Sequence, residues 1–339
     1  MELTAKFKKV YQKLIKAKNI LVVGHVHPDA DALSSIGAIL ELADNLGINS
    51  YAYADGQSFS SYSFIPQVER VSNHPPFNLL DFDLIIAVDC GSLSRTSLEN
   101  RIKDLLTKRQ QNLISNRPYI IELDHHLPQD HYADLEIRLP DKASTTEIIY
   151  HLIKINNLDF SRSLADCILI GLMTDTGHFL HANSSQEAMA IASEMLLRGA
   201  SLPKIINYTV NNKSFASLKV WGRALENMRF NEETGLVSSG LTRQDLVELL
   251  SPEELKQGGD LFSNIVSFLI SLRGAKVALF LKEEGELVRA SLRTNSDQID
   301  VAKIARQWGG GGHQKAAGFS LPGRLQATED GWKIIIKNN

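Results

Sequence analysis

The sequence predicts an α/β protein: an N-terminal, mostly parallel sheet with helices on both faces, followed by a smaller C-terminal α/β domain, with a cleft between them. Three observations carry this expectation. Short continuous apolar runs of strand length alternate with segments of helical period through the N-terminal half, the pattern of strand–helix–strand units. The chain has 339 residues, long for one domain on a prior of roughly 100–200 residues each. A polar stretch from about Asn207 to Ser217 breaks the apolar pattern between the halves. We therefore divide the chain into residues 1–205, a linker and helix over 206–229, and a second domain over 230–339.

The elements follow in order. Met1 to Asn19 alternates Lys with apolar residues at helical spacing and reads as an amphipathic surface helix. Asn19 to Val26 is a continuous apolar run, as expected for a strand buried on both faces. Pro28 stops it, and a helical pattern begins near Asp31 and runs through Ile36, Ile39, Leu40 and Ala43. Ser50 to Ala54, Phe82 to Val88 and Pro118 to Leu123 read as further strands. Thr145 to Ile155, Leu164 to Met173 and Ser184 to Arg198 read as helices, the last closed by Gly199 at its C-cap. Beyond a helix containing Trp221 and Leu225, Lys276 to Leu281 and Leu287 to Leu292 form a hairpin around Glu283 to Glu286, and Val301 to Gln307 is helical.

Composition bounds the function. With 43% hydrophobic and 22% charged residues the chain has ordinary globular character. The net charge is −3, and residues 230–339 carry 13 Lys/Arg against 14 Asp/Glu. A basic clamp for long nucleic acid is therefore not expected. The two cysteines, Cys90 and Cys167, make neither a disulfide framework nor a zinc pattern and suit a reducing cytoplasm. No apolar stretch reaches the roughly 18 residues of a membrane span, and the N-terminus lacks a signal-peptide core. A cytoplasmic protein is expected, with a homodimer as the commonest default assembly.

The informative residues are Asp and His. His25 to Asp31 and Asp124-His125-His126 lie at predicted strand exits, Asp89 ends a strand of its own, and Asp175 ends a helix. In an open α/β sheet the carboxyl ends of the strands border the ligand crevice, so these segments can deliver their side chains to one place. A single Asp at a strand end is ordinarily a cap or turn residue, and Asp29 and Asp31 suit a helix start. Two adjacent histidines after an Asp at another strand end have no such explanation. Converging carboxylates repel and take up protons or cations. Two divalent ions would relieve them, and mixed carboxylate and imidazole donors favour manganese over structural zinc.

A second signal stands near the end. Gly309, Gly310, Gly311 and Gly312 precede His313 and Lys315, and consecutive glycines allow backbone N–H groups to approach an anion. Arg289 and Arg293 lie on one strand face, and Arg293 can hold phosphate in a bidentate manner. The alternative is a flexible turn beside a tightly packed Ala-Ala-Gly crossing.

Together these residues resemble a known family. His25, Pro28, Asp29, Asp31 and Ala32, then Asp89, Asp124-His125-His126 and Asp175-Thr-Gly resemble the four motifs of the DHH phosphoesterases. Ser291-Leu-Arg293 with the Gly309 to Gly318 block resembles the DHH-associated C-terminal domain. The compact two-domain form is similar to the NrnA type, oligoribonucleases that also dephosphorylate adenosine bisphosphate (pAp). One departure is Ser34-Ser35, where the family usually has Gly-Ser.

The resemblance implies two divalent ions: His25 and Asp29 on one, Asp31, His125 and Asp175 on the other, Asp89 bridging, and a hydroxide between them as nucleophile. It implies that His126 acts beside the scissile phosphate, and that Arg293, Gly310, Gly311, Gly312 and His313 hold a terminal phosphate or the nucleotide. Expected substrates are short RNA or DNA oligonucleotides and pAp. Cyclic or linear dinucleotides such as c-di-AMP and pApA, or single strands for a RecJ-like exonuclease, are the alternatives. A silent nucleotide sensor would have lost ligands, and every expected position is filled here.

Overall fold

The computed structural model describes residues 2–56, 58–115, 117–257, 259–328 and 331–336. The chain divides into two compact units, Met1–Asn211 and Asn212–Asn339.

The first unit is built on six strands: β1 (Asn19–Val23), β2 (Asn49–Tyr53), β3 (Val71–Ser72), β4 (Leu84–Val88), β5 (Tyr119–Asp124) and β6 (Leu135–Arg138). They lie in the order β3-β2-β1-β4-β5-β6, and every pairing is parallel. The helices are α1 (Leu3–Leu14), α2 (Ala30–Asn45), α3 (Glu99–Gln110), α4 (Thr145–Ile155), α5 (Arg162–Asp175), α6 (Gln186–Leu197) and α7 (Leu202–Thr209). Strand residues alternate between two cores, as the two-residue period requires. Ile20, Val22, Ile86, Val88, Ile121 and Leu123 face the layer of α1, α2, α4 and α5. Leu21, Val23, Ile85, Ala87 and Ile120 face the α3 side with Ile102 and Leu105. Both faces are thus covered, which is why these strands read as unbroken apolar runs.

The strand order has a consequence for ligand binding. The chain leaves β1 toward β2 on one side and returns to β4 on the other, so the strand order reverses between β1 and β4. In open parallel sheets, ligands settle outside the carboxyl ends of the strands at such a switch point.

Two stretches differ from the sequence reading. The polar segment after Asn207 begins inside α7, which starts from Pro203 in its first turn and buries Ile205. Helix α8 (Phe215–Glu226) belongs to the second unit, where Ala216, Val220 and Ala224 join its core.

The second unit contains β7 (Arg229–Asn231), β8 (Leu236–Leu241), α9 (Arg243–Leu249), α10 (Pro252–Gln257), α11 (Ile265–Leu269), β9 (Val277–Glu284) and β10 (Leu287–Thr294). It continues with α12 (Val301–Gln307), β11 (Gly311–His313), β12 (Ala316–Pro322), β13 (Arg324–Thr328) and β14 (Gly331–Ile335). Its main sheet runs β11-β12-β10-β9-β8-β7, with β8 and β9 parallel and the other pairs antiparallel. β13 and β14 form a separate two-stranded sheet. The hairpin of β9 and β10 turns where the sequence places it. Among the described residues no helix is long and apolar enough to cross a membrane.

Candidate active site

The predicted Asp and His residues of the first unit converge at the carboxyl ends of β1, β4 and β5. His25 follows β1 and is buried. Its Nδ1 lies 2.8 Å from the Val26 carbonyl. A carbonyl only accepts, so Nδ1 carries the proton and Nε2 of the neutral ring presents a lone pair. That Nε2 is buried without a hydrogen-bond partner, 3.8 Å from both Asp29 Oδ2 and Asp89 Oδ2.

Asp29 is the N-cap of α2, with Oδ1 accepting from the Asp31 and Ala32 amides. The capping reading and the ligand reading both hold for it, because Oδ2 is left toward His25. Asp31, in the first turn of α2, is fully buried. Its oxygens accept from the amides of Thr145 (2.7 Å) and Thr146 (3.2 Å), the exposed donors at the start of α4. Helix α5 passes directly over this carboxylate at Gly171, where any Cβ would overlap Asp31 Oδ1 and Thr146 Oγ1.

Asp89 stands at the centre. It adopts φ +59° just past β4, a left-handed conformation that Asp tolerates better than most residues but still at a cost. Its Oδ1 accepts from Thr145 Oγ1 (2.9 Å) and lies 3.5 Å from His125 Nε2. His125 Nε2 is also 3.2 Å from Asp175 Oδ2 at the end of α5. The candidate donor atoms form two compact groups, His25–Asp29–Asp89 and Asp31–His125–Asp175, and Asp89 also groups with His125 and His126.

Charge explains why such a hollow needs a cation. Burial, then repulsion from Asp31, Asp29 and Asp175, pushes Asp89 well above the usual carboxylate range. Burial and Asp175 lift Asp31 to about 8. Burial alone would lower His125, but hydrogen bonding to Asp175 overrides it and raises the imidazole to about 9. Without added positive charge the cluster must hold protons. The bare, buried Nε2 of His25 between two carboxylates fits a divalent ion.

His126 is set differently. Its Nδ1 is 2.8 Å from Asp124 Oδ1, which also accepts the His126 amide, while Asp124 Oδ2 accepts from Gly91 (2.5 Å). Burial opposes the ionised form of Asp124, yet these bonds, led by His126, hold its carboxyl at about 2. Asp124 therefore spends both oxygens on holding other groups and is no member of the ligand groups. It fixes the tautomer of His126 and leaves Nε2 turned away from it.

Asp124 and Thr145 hold His126, Asp31 and Asp89 in place, a part that the sequence reading did not assign to them. A signal for Thr145 existed: Ser144-Thr-Thr-Glu147 is an N-cap pattern, and Ser144 does cap α4. His178 is bonded through Nε2 to Thr209 Oγ1 (2.8 Å), a link between the end of α5 and α7. Ser34 and Ser35 are fully buried in α2, and their hydroxyls have no partner among the described residues. A further group, Glu147–His151–Glu187, already holds Lys142, whose Nζ lies 3.4 Å from Glu147 and 2.5 Å from Glu187. It is an ion-pair cluster.

In the second unit, Arg293 on β10 pairs with Ala316 on β12, and Ala316 with His313 on β11. Residues directly opposite across a ladder share a face, so Arg293 and His313 flank a small residue in one row. Arg289 is committed to Glu284 at 2.6 Å. The glycine run departs from the expected anion loop. The amides of Gly309 and Gly310 close α12 on Arg306 and Ala305, and Gly311 to His313 is an edge strand. Gly310 is required because a Cβ would overlap the Gly318 carbonyl.

Residues 19–172 match the N-terminal domain of the DHH family, and residues 256–336 match the DHHA1 domain. The first unit thus carries a DHH-family N-terminal domain and the second a DHHA1 domain. The chain is 26% identical over 306 residues to the bifunctional oligoribonuclease and PAP phosphatase NrnA of Thermus thermophilus, covering 90% of this chain and 84% of that one. The NrnA of Bacillus subtilis is 26% identical over 305 residues, covering 89% of each. An exopolyphosphatase-related protein from Bacteroides fragilis has a similar structure, with a TM-score of 0.81 and 25% identity over 93% of this chain and 90% of that one.

Proposed function

We propose that this chain is a metal-dependent phosphoesterase that hydrolyses short oligonucleotides and adenosine bisphosphate. The observation that carries the reading is the pair of donor groups at the sheet's switch point, linked by Asp89, which belongs to one and lies 3.5 Å from His125 of the other. The full-length likeness to proteins named for those two activities supports it.

His25 and Asp29 would hold one divalent ion, Asp31, His125 and Asp175 the other, with Asp89 between them and manganese the ion their donor types favour. When bound, such ions neutralise charge on a phosphate and make a water acidic enough to ionise near neutral pH. The remaining work belongs to the chain's own side chains. As the imidazolium, with Nδ1–H held by Asp124, His126 would present Nε2–H to stabilise charge on the phosphate or to hand that proton to the departing oxygen. Arg293, His313 and the edge-strand glycines Gly311 and Gly312 would hold the substrate's terminal phosphate, Arg293 by a bidentate contact.

The test is manganese-dependent hydrolysis of pAp, a dinucleotide, c-di-AMP and a long single-stranded DNA. Turnover of pAp and the dinucleotide supports the reading, and activity mainly on long DNA replaces it with an exonuclease. Silence on all four with metal bound replaces it with a sensor. Asp89→Ala should reduce turnover by orders of magnitude. Unchanged activity on the dinucleotide would remove the metal assignment.

A further inference from the structure

The loop that carries Asp89 does not end at the ligand. It continues through Gly91 into a short 3-10 turn, Leu93–Thr96, that presents Arg95. The backbone of Arg95 is pinned at both ends: its amide donates to Ser92 (3.2 Å), and its carbonyl accepts from Val26 (2.7 Å). The second bond ties it to the residue after His25, so two ligand-bearing loops fix one arginine.

Its side chain points to the same place. Gly91 has φ +70°, and a Cβ there would lie 3.2 Å from Arg95 Nη1 and 3.5 Å from His126 Cγ. Guanidinium and imidazole therefore flank a single point beside the ligand groups. Arg109 and Arg138 of the same unit each hold a carboxylate, at 2.6 and 2.5 Å. Among the described residues no hydrogen bond or ion pair engages the Arg95 guanidinium. It is half-buried, its backbone is held, and its donors are uncommitted among the described residues. A rigid guanidinium with free donors is suited to a tetrahedral oxyanion.

We propose that Arg95 binds the phosphate that is being cleaved, donating to its non-bridging oxygens alongside His126. This rests on the phosphoesterase reading, and it gives the first unit a phosphate contact of its own, distinct in role from Arg293. Every substrate has a scissile phosphate and only some have a terminal one. Loss of Arg95 should thus penalise all substrates alike.

The experiment compares wild type, Arg95→Gln and Arg95→Lys, all loaded with manganese. Its readouts are kcat/KM on pAp and on dinucleotides with and without a terminal phosphate, inorganic phosphate binding by calorimetry, manganese affinity and Tm. Arg95→Gln should lose about 10- to 100-fold in kcat/KM on every substrate, and weaken phosphate binding by a comparable factor. Manganese affinity and Tm should stay at wild-type values, and Arg95→Lys should recover part of the loss because it keeps the charge without the fork. Unchanged kinetics and phosphate binding in Arg95→Gln would overturn the assignment. So would a loss confined to substrates with a terminal phosphate, or one that tracks manganese affinity. If wild type hydrolyses nothing, the phosphoesterase reading fails by itself. Phosphate binding then still decides Arg95, and equal or absent binding in wild type and Arg95→Gln sinks it.

Discussion

Thr145 supports two carboxylates with one residue. Its amide donates to Asp31 Oδ2 and its hydroxyl to Asp89 Oδ1, so it sets the spacing between the two donor groups. Outer partners of this kind typically contribute 10- to 100-fold in metal affinity. Thr145→Val keeps the shape and the amide but removes the hydroxyl, and should weaken manganese binding by about 10-fold. Thr145→Ser should restore it. Calorimetric titration of manganese into the three proteins decides the matter: equal affinities would make the hydroxyl a bystander. The candidate donors at this scale were legible, because His and Asp at strand exits are unusual in combination. The supporting roles of Asp124 and Thr145 were not, since a side chain that holds another looks in sequence like any cap or turn residue.

At the scale of elements, the approach of α5 to the site depends on one missing methyl. Gly171→Ala would drive a Cβ into Asp31 Oδ1 and Thr146 Oγ1, two buried groups that cannot retreat without breaking bonds to the start of α4. Overpacking of this kind costs about 1–3 kcal/mol. We expect a lower denaturation midpoint together with weaker manganese binding, and a variant with wild-type midpoint and affinity would show that α5 can move aside. Strands β1, β4 and β5 and helices α4 and α12 were legible because burial on both faces or a clear helical period marks them. Others gave little warning. Helix α3 buries only Ile102 and Leu105, too narrow a stripe to announce itself. β3 has two residues and β11 is mostly glycine, so their pairing with β2 and β12 makes them strands, and not their own propensity.

For the molecule as a whole, the cluster is a liability that folding has to offset. Asp31, Asp89 and Asp175 are all pushed upward by burial and by neighbouring groups, so the folded first unit tolerates them best with a bound cation. Ligand linkage then predicts that manganese at about 100 times its Kd stabilises the fold by about 2.7 kcal/mol. Scanning calorimetry with manganese and with a chelator should show a higher Tm in the metal. Coincident curves would mean that the cluster lives on protons alone. The modest charge of −3 spreads no field that would gather long nucleic acid, so whatever phosphate binds must be recognised locally.

By itself the sequence determined the alternation of strands and helices, the candidate donor residues and the two domain types, since each is written in residue type and spacing. Only the tertiary structure decided what those residues do to one another. The sheet order placed three strand ends side by side, and the start of α4 oriented Asp31 and Asp89. The Gly91 turn brought Arg95 to His126, while Gly309 and Gly310 were spent on closing a helix. The reason is physical: a period in sequence reports which face an element buries, whereas hydrogen-bond partners across more than a hundred residues of chain are chosen by packing.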